Sequence, residues 1–388
     1  MTRRRLAVAV AGTRLLLFLV GAGSVIWFGF PEGATPPPTS QNVFLDLPAR
    51  WDTGWYLGVA HGGYRWDGRL DKFQNIAFFP AYPLLYRATA WVVRAGHHPV
   101  AWLWTGVLLS NLLFAGAAAL LFRLSMMESA RPEAAATAVL ACACYPFSLF
   151  FSLPYTESLF LLACVGAFER LKRGSTGWAG ILAFVAGFTR PNGWLLSIPL
   201  AMVAVGIGHW CRRPSPGETA HEGMTLRPLL VALAPVLGVV AYSAFVYGQT
   251  GHPLMWAIVQ ESWGRGIQNP VVPLQALATV WAAEGSLALF TKAWPELVNL
   301  GALAVAVGLV WPVTRSLGLA YGCFVALNAI VPYIAGGPMS MGRYTSVLFP
   351  VFMWIGFRGR ATARVAVWGG LVGLSVVAGL FFTWRRLY

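Results

Sequence analysis

Residues 99–122 read PVAWLWTGVLLSNLLFAGAAALLF, without a single charged side chain. About 20 apolar residues in a helix span the ~30 Å hydrocarbon core of a bilayer, so this stretch predicts a transmembrane helix. The whole chain has a similar character, because 57% of its 388 residues are hydrophobic and only 11% are charged. Soluble proteins carry about 25% charged residues, and this composition therefore excludes a water-soluble fold.

Apolar segments of this kind recur along the chain and make about eleven candidate spans. The first, residues 6–30, follows a basic start like that of a signal peptide, but it is long enough to cross the bilayer, so we expect it to be retained. The sequence therefore predicts an all-α, multi-pass protein of the cell membrane. Residues 1–388 are expected to form a single transmembrane domain.

The net charge of +14 comes from basic residues that cluster at the ends of apolar segments, as at residues 3–5, 172–173 and 212–213. Lys and Arg in such places are retained on the cytoplasmic side, so the charge predicts topology, with membrane lipids and not nucleic acid as partners. The five cysteines form no pair in an outer loop, and we expect neither a disulfide framework, a metal site nor a cofactor. They are Cys142, Cys144, Cys164, Cys211 and Cys323.

Two stretches are too long for simple turns, residues 31–98 and residues 248–294. Pro80 and Pro83 break the start of the apolar segment 77–95, whose later residues separate by face, so we expect a helix lying flat in the headgroup plane. This arrangement places most basic loops inside, residues 31–98 outside as a catalytic loop with interfacial helices, and residues 248–294 outside as a second loop. Segment 177–189 covers only ~20 Å, so its outer end should lie in a depression.

The densest set of polar and aromatic residues is the outer string Arg50-Trp51-Asp52-Thr53-Gly54-Trp55-Tyr56. A carboxylate between tryptophans is suited to accept a proton from a sugar hydroxyl, and aromatic faces suit sugar rings. The alternative is an interfacial aromatic belt in which Asp52 pairs with Arg50. His61 is a further candidate, although a helix would place it on the face opposite Asp52.

Three charged residues stand near predicted outer helix ends. Glu157 follows Pro154 at a helix start, where the helix dipole alone would favour it, but its membrane depth favours a role in holding acceptor hydroxyls or a neighbouring base. Arg190 and Arg343 are placed to hold a lipid phosphate by paired hydrogen bonds, with snorkelling to headgroups as the alternative.

Several short motifs in this sequence resemble those of a known family. Arg50-Trp51-Asp52 with Trp55-Tyr56, then Ala60-x-Gly62-Gly63-Tyr64 and Phe78-Phe79-Pro80-x-Tyr82-Pro83-Leu84, are similar to motifs of the PIG-V-type glycosylphosphatidylinositol mannosyltransferases and their prokaryotic relatives. Pro154-Tyr155-Thr156-Glu157-Ser158, Thr189-Arg190-x-Asn192-Gly193 and Gly342-Arg343-Tyr344 resemble its later landmarks. The family's Trp-Asp pair falls on Trp51 and Asp52.

The resemblance implies a C-type glycosyltransferase (GT-C) fold and a mannosyltransferase that uses a polyprenyl-phosphate donor on the extracytoplasmic face. Asp52 would be the general base, inverting the anomeric centre, and the acceptor would be a lipid or a glycan. Arg190, Arg343 and Tyr344 would bind the donor phosphate. The substrate-binding candidates are Arg50, Trp51, Trp55, Tyr56, His61, Tyr155, Glu157 and Asn192.

Two other functions remain open from the residues alone. A transporter or flippase of a lipid-linked sugar would be expected to carry corresponding ionisable residues or broken helices in two halves of the chain, and no such symmetry is evident. A non-catalytic subunit of a larger complex is the other, and the sequence leaves the oligomeric state open.

Overall fold

The computed structural model describes residues 2–34, 39–207 and 226–387, and over these ranges the chain forms helices and no β-strand. The predicted all-α class is therefore confirmed. The helices are α1 (Arg3–Phe28), α2 (Val43–Asp46), α3 (Thr53–Gly62), α4 (Ala81–Val92), α5 (Pro99–Ser129), α6 (Pro132–Cys144), α7 (Glu157–Lys172), α8 (Thr176–Thr189), α9 (Ser197–Ala204), α10 (Leu226–Thr250), α11 (Met255–Ile258), α12 (Val272–Glu284), α13 (Ser286–Lys292), α14 (Trp294–Gly308), α15 (Val310–Leu317), α16 (Leu319–Gly336), α17 (Met341–Thr345), α18 (Phe349–Phe357) and α19 (Arg360–Phe382).

Six helical segments of the described chain are long and apolar enough to cross a membrane. They are α1, α5, α10, the α14–α15 pair, α16 and α19. The structure thus agrees with a multi-pass membrane protein. The count of about eleven spans stays a prediction, because the remaining apolar helices are too short to cross a bilayer alone.

The short apolar helices matter for the site because they are too short to cross a bilayer. At ~1.5 Å per residue, the 13 residues of α6 cover about 20 Å and the 14 residues of α8 about 21 Å, well under the ~30 Å core. Each is followed by a 3-10 segment, Pro146–Phe151 after α6 and Pro191–Leu196 after α8. Segment 177–189 is therefore as short as the sequence predicts.

Two glycines bring α8 and α10 into close contact. A Cβ added at Gly187 would overlap the Pro235 carbonyl of α10, and one added at Gly238 would overlap the Phe184 carbonyl of α8. Small residues let membrane helices approach at backbone distance, where van der Waals contact stabilises the pair. This contact fixes the end of α8, where Arg190 lies.

The described part of segment 31–98 folds as α2, α3, the 3-10 turn Asn75–Ala77 and α4. Tyr82 and Tyr86 of α4 are fully buried. The Tyr82 hydroxyl lies 2.8 Å from Ser110 Oγ, and Tyr86 donates to the Trp102 carbonyl at 2.6 Å, so α4 packs on α5 through its tyrosines. At 12 residues, or about 18 Å, α4 is too short to span a bilayer, as expected of a flat helix.

Cys142, Cys144 and Cys164 are buried free thiols, and Cys323 is a partly buried one. Cys211 and the basic pair at residues 212–213 lie outside the described residues. Cys142 and Cys164 belong to the largest cluster of buried apolar side chains, which makes them small packing residues.

Candidate active site

A cavity of about 430 Å³ opens between segment 31–98, the end of α8, segment 248–294 and the α16–α17 connection. Its wall combines one carboxylate, that of Asp52, with the three guanidiniums of Arg190, Arg265 and Arg343. Aromatic and apolar side chains supply most of the remaining surface. Such a mixture of apolar wall and converging polar groups is typical of a small-molecule site.

The turn before α3 places Asp52 at the cavity. Trp51 has a φ of 51°, a left-handed conformation that costs energy in a residue other than glycine. Its indole donates to the Phe381 carbonyl at 3.3 Å and its ring packs on Trp384 with centroids 4.8 Å apart. Behind the turn, the Asp52 amide donates to the Tyr155 hydroxyl at 3.0 Å. Contacts to α19 and to the α6–α7 connection therefore hold the turn, and the Asp52 side chain keeps 26% of its surface exposed.

Arg343 lies between two carboxylates. Its Nη1 is 2.8 Å from Asp52 Oδ2, its Nε donates to Glu157 Oε1, and its Nη2 donates to the Tyr56 hydroxyl at 3.2 Å. Below it, the ring of Tyr155 lies 4.6 Å from the guanidinium carbon. All three guanidinium nitrogens thus have protein partners, and Arg343 is buried.

Arg190 follows α8 directly and faces the other side of Glu157. Its Nη1 lies 3.2 Å from Glu157 Oε1, and its guanidinium stacks over the Tyr344 ring at 4.7 Å. The same Nη1 makes no hydrogen bond in the described structure, although it is buried. Arg190 therefore has donor capacity left for a ligand.

Arg265 was not singled out by the sequence, where it is one basic residue in a long polar loop. In the structure its Nη1 donates to the Tyr344 hydroxyl at 2.8 Å, and its Nη2 is 3.4 Å from Ser340 Oγ. No carboxylate of the described chain lies within ion-pair distance of it. The sequence shows only that Arg265 lies outside every apolar segment. That feature does not distinguish Arg265 from a solvated arginine.

Tyr344 lies between these cations, outside the spanning helices. Burial acts to raise the pKa of its hydroxyl, but the guanidiniums of Arg265, Arg190 and Arg343 outweigh burial and lower the pKa to about 8. This shift shows how positive the wall is at this end of the cavity. Positive charge therefore predominates around Tyr344.

Aromatic rings form the wall next to Asp52. Trp55 stacks on Phe78 with centroids 5.6 Å apart and meets Trp263 edge-on at 5.7 Å. Phe78, Trp263 and the buried Tyr56 line the cavity themselves. Asn192 also lines the cavity, and its amide donates to Asn328 Oδ1 at 3.0 Å.

Several residues predicted to bind substrate lie elsewhere. Arg50 is buried and donates to the Asp46 carboxylate at 2.9 Å and to the Phe382 carbonyl at 3.0 Å, because the carboxylate four residues earlier is nearer than Asp52. His61, at the far end of α3, packs on Trp102 at 5.0 Å. The helix thus separates His61 from Asp52, as its nine-residue spacing indicates.

Three more of the predicted substrate-binding residues lie behind the cavity wall, whereas the predicted phosphate ligands line it. Trp51 and Tyr155 support the Asp52 turn and do not line the cavity. Glu157 is fully buried and contacts arginines, so a role in holding acceptor hydroxyls does not fit its position. Of the predicted phosphate ligands, Arg190, Arg343 and Tyr344 all line the cavity.

The mannosyltransferase (PIG-V) family model matches residues 39–209. This confirms the resemblance seen in the motifs and supports a membrane glycosyltransferase. The matched range contains Asp52, Glu157 and Arg190, whereas Arg265 and Arg343 lie beyond it. No curated protein matches the chain.

Two solved structures similar to this chain are of the oligosaccharyltransferase from Archaeoglobus fulgidus. One, tethered with an acceptor peptide through a disulfide bond, has a TM-score of 0.46 and 9% identity and is matched over 95% of this chain and 55% of that one. The other, in complex with an inhibitory peptide and a dolichol-phosphate, has a TM-score of 0.45 and 11% identity over 96% and 56%. The chain spans about half the length of these structures.

Proposed function

We propose that this protein is a membrane mannosyltransferase that moves a mannosyl residue from a polyprenyl-phosphate donor to a lipid-linked or glycan acceptor on the extracytoplasmic face. The family match supports the sugar and the reaction class. The observation that carries the proposal is the cavity itself, which is lined by both the Asp52 carboxylate and the guanidiniums of Arg190 and Arg265. The GT-C fold implied by the resemblance, and the single domain with its two outer loops, belong to the same proposal.

Asp52 would act as the general base. Arg343 holds Oδ2, and no described group hydrogen-bonds to Oδ1, which leaves one oxygen to accept the proton of an acceptor hydroxyl. As that proton leaves, the acceptor oxygen forms a bond to the anomeric carbon from the side opposite the phosphate. The bond from carbon to phosphate oxygen breaks, its electron pair departs with the polyprenyl phosphate, and the anomeric centre inverts.

Arg190 and Arg265 would hold the phosphate. Preorganised cations at the point where negative charge develops stabilise the transition state more than the ground state. Arg343 is predicted to share this task, but Asp52, Glu157 and Tyr56 use three of its five N–H donors, and its charge is shared with two carboxylates. Arg265 therefore replaces Arg343 as the second phosphate ligand in this proposal.

The prenyl chain would leave the cavity on its apolar side. Trp194 and Ile267 line the cavity and expose 43% and 92% of their surfaces, and Val331 of α16 lies beside them. An exposed apolar rim next to a charged pocket is suited to a ligand with a polar head and a hydrocarbon tail.

The test is sugar transfer by the purified protein in vesicles, with a polyprenyl-phosphate donor carrying labelled mannose. Asp52→Asn should lower transfer by about 10²–10⁴-fold, the usual contribution of a general base. Asp71→Asn is the matched control, because Asp71 lies in the same outer segment with 66% of its side chain exposed.

Three outcomes would count against the proposal. Transfer by Asp52→Asn at the wild-type rate would remove Asp52 from the mechanism. Passage of intact donor across the vesicle membrane without cleavage of the sugar would indicate a transporter. Activity that requires an added second protein would indicate a subunit of a complex.

A further inference from the structure

Glu157 cannot contact a substrate directly. Its side chain is fully buried, and it does not line the cavity although its neighbour Thr156 does. A buried ionised carboxylate is costly unless opposite charges compensate it. The reason for its presence must therefore lie in the groups it contacts.

Those groups are the two arginines on either side of it. Oε1 of Glu157 accepts from Nε of Arg343 and lies 3.2 Å from Nη1 of Arg190. Arg343 belongs to α17 and Arg190 to the end of α8, so the carboxylate joins two elements that are far apart in sequence. Glu157 is the only carboxylate of the described chain at ion-pair distance from Arg190.

These contacts form a chain of alternating charge, Asp52–Arg343–Glu157–Arg190. Two guanidiniums so close together repel each other, most strongly where burial reduces the screening by water. A single carboxylate between them converts that repulsion into two attractions. The second carboxylate oxygen of Glu157, Oε2, has no hydrogen-bond partner among the described residues, which indicates that Glu157 acts through its charge.

We propose that Glu157 is the positioning residue of this site, holding Arg343 against Asp52 and Arg190 at the cavity wall without touching a substrate. This inference rests on the proposed function, because it assigns Arg343 to the base and Arg190 to the donor phosphate. It also makes a claim about geometry that holds whether or not sugar is transferred.

The geometric claim is tested by labelling arginines with phenylglyoxal and reading each site by peptide mass spectrometry. In Glu157→Gln, Arg190 loses its only carboxylate, so its labelling should rise several-fold. Arg343 keeps Asp52 and should change less. Glu169→Gln is the matched control, since Glu169 is an equally buried carboxylate of α7 that pairs with Arg123, Arg170 and Arg173 near the other end of the helix.

Kinetic measurements with the labelled-mannose donor distinguish the loss of a positioning role from a simple loss of folded protein. Loss of folded protein lowers the maximal rate and leaves the donor KM unchanged. Release of Arg190 raises the donor KM, by about tenfold for one charge-assisted hydrogen bond. Glu157→Gln should therefore raise KM as well as lower kcat, whereas Glu169→Gln should leave KM unchanged.

Glu157→Asp keeps the negative charge, but its side chain is shorter by one methylene group. This variant replaces Glu157→Gln in both tests if Glu157→Gln does not fold. It should show partial gains in Arg190 labelling and in KM. Wild-type labelling of Arg190 in the folded variants, or an unchanged donor KM, would overturn the positioning role. A wild-type protein without transferase activity would instead refute the proposed function, while the labelling would still decide the geometry.

Discussion

Arg265→Gln is the change that best tests how the cavity recognises its ligand. Arg265 lies in segment 248–294 and lines the cavity, and among the described residues its guanidinium hydrogen-bonds only to the Tyr344 hydroxyl and Ser340 Oγ. The site holds three guanidiniums and the two carboxylates of Asp52 and Glu157, so its net charge is about +1. Glutamine keeps a polar side chain of moderate length and removes that excess charge.

The expected magnitude follows from the partners that Arg265 lacks. Arg265 forms no ion pair with a carboxylate of the described residues, so its positive charge is available to a bound phosphate. A hydrogen bond to a charged group contributes about 1.5–3 kcal/mol. At about 1.4 kcal/mol per tenfold change, the dissociation constant for the donor should rise about 10- to 150-fold.

The assay is the initial rate of mannose transfer at varied donor concentration, with direct donor binding measured in parallel. Arg69→Gln is the matched control, because Arg69 is an arginine of the first outer loop whose side chain is 54% exposed and pairs with Asp71. The control should behave as the wild type. An Arg265→Gln protein with wild-type donor affinity would refute the assignment of Arg265 to the phosphate.

Two further predictions concern groups that shape the same wall. Because the pKa of Tyr344 is lowered to about 8, raising the pH through that value adds a phenolate between Arg265 and Arg190. The donor KM should therefore rise above about pH 8 in the wild type, and Tyr344→Phe should abolish this rise; a rise of equal size in the variant would contradict the assignment. Gly193→Ala should lower the free energy of unfolding by about 1–3 kcal/mol, because its Cβ would overlap the Ala186 carbonyl and meet Gly187 Cα at 2.7 Å. Thermal unfolding in detergent measures this, and Gly180→Ala, whose Cβ has open space, should not be destabilised.

Asp52 could be predicted as a candidate because the features that mark it lie in its immediate sequence neighbourhood. A carboxylate flanked by aromatic residues stands out in a chain with so few charges, and Asp52 does line the cavity. The short α8 was predictable for a similar reason, since the length of an apolar run is read directly from the sequence. Arg190 at its end follows from that length.

The pairing of the charges was not predictable. Arg50 stands two residues before Asp52, yet it turns to Asp46, and the partner of Asp52 is Arg343, 291 residues further along the chain. Arg265 has no local feature that separates it from a solvated arginine, and it reaches the cavity only because its loop folds over the α16–α17 connection.

The sequence by itself determined that this protein is helical and lies in a membrane, where its short helices end, and that Asp52 stands out among its few carboxylates. The thickness of the hydrocarbon core and the helical rise per residue set how long a continuous apolar segment must be. That length can be counted directly in the sequence. The tertiary structure alone decided that Arg343 pairs with Asp52, that Arg190 and Arg265 line the same cavity, and that Glu157 pairs with two arginines. Those outcomes depend on ion pairs between helix ends 33 to 291 residues apart, and helix packing brings these ends together.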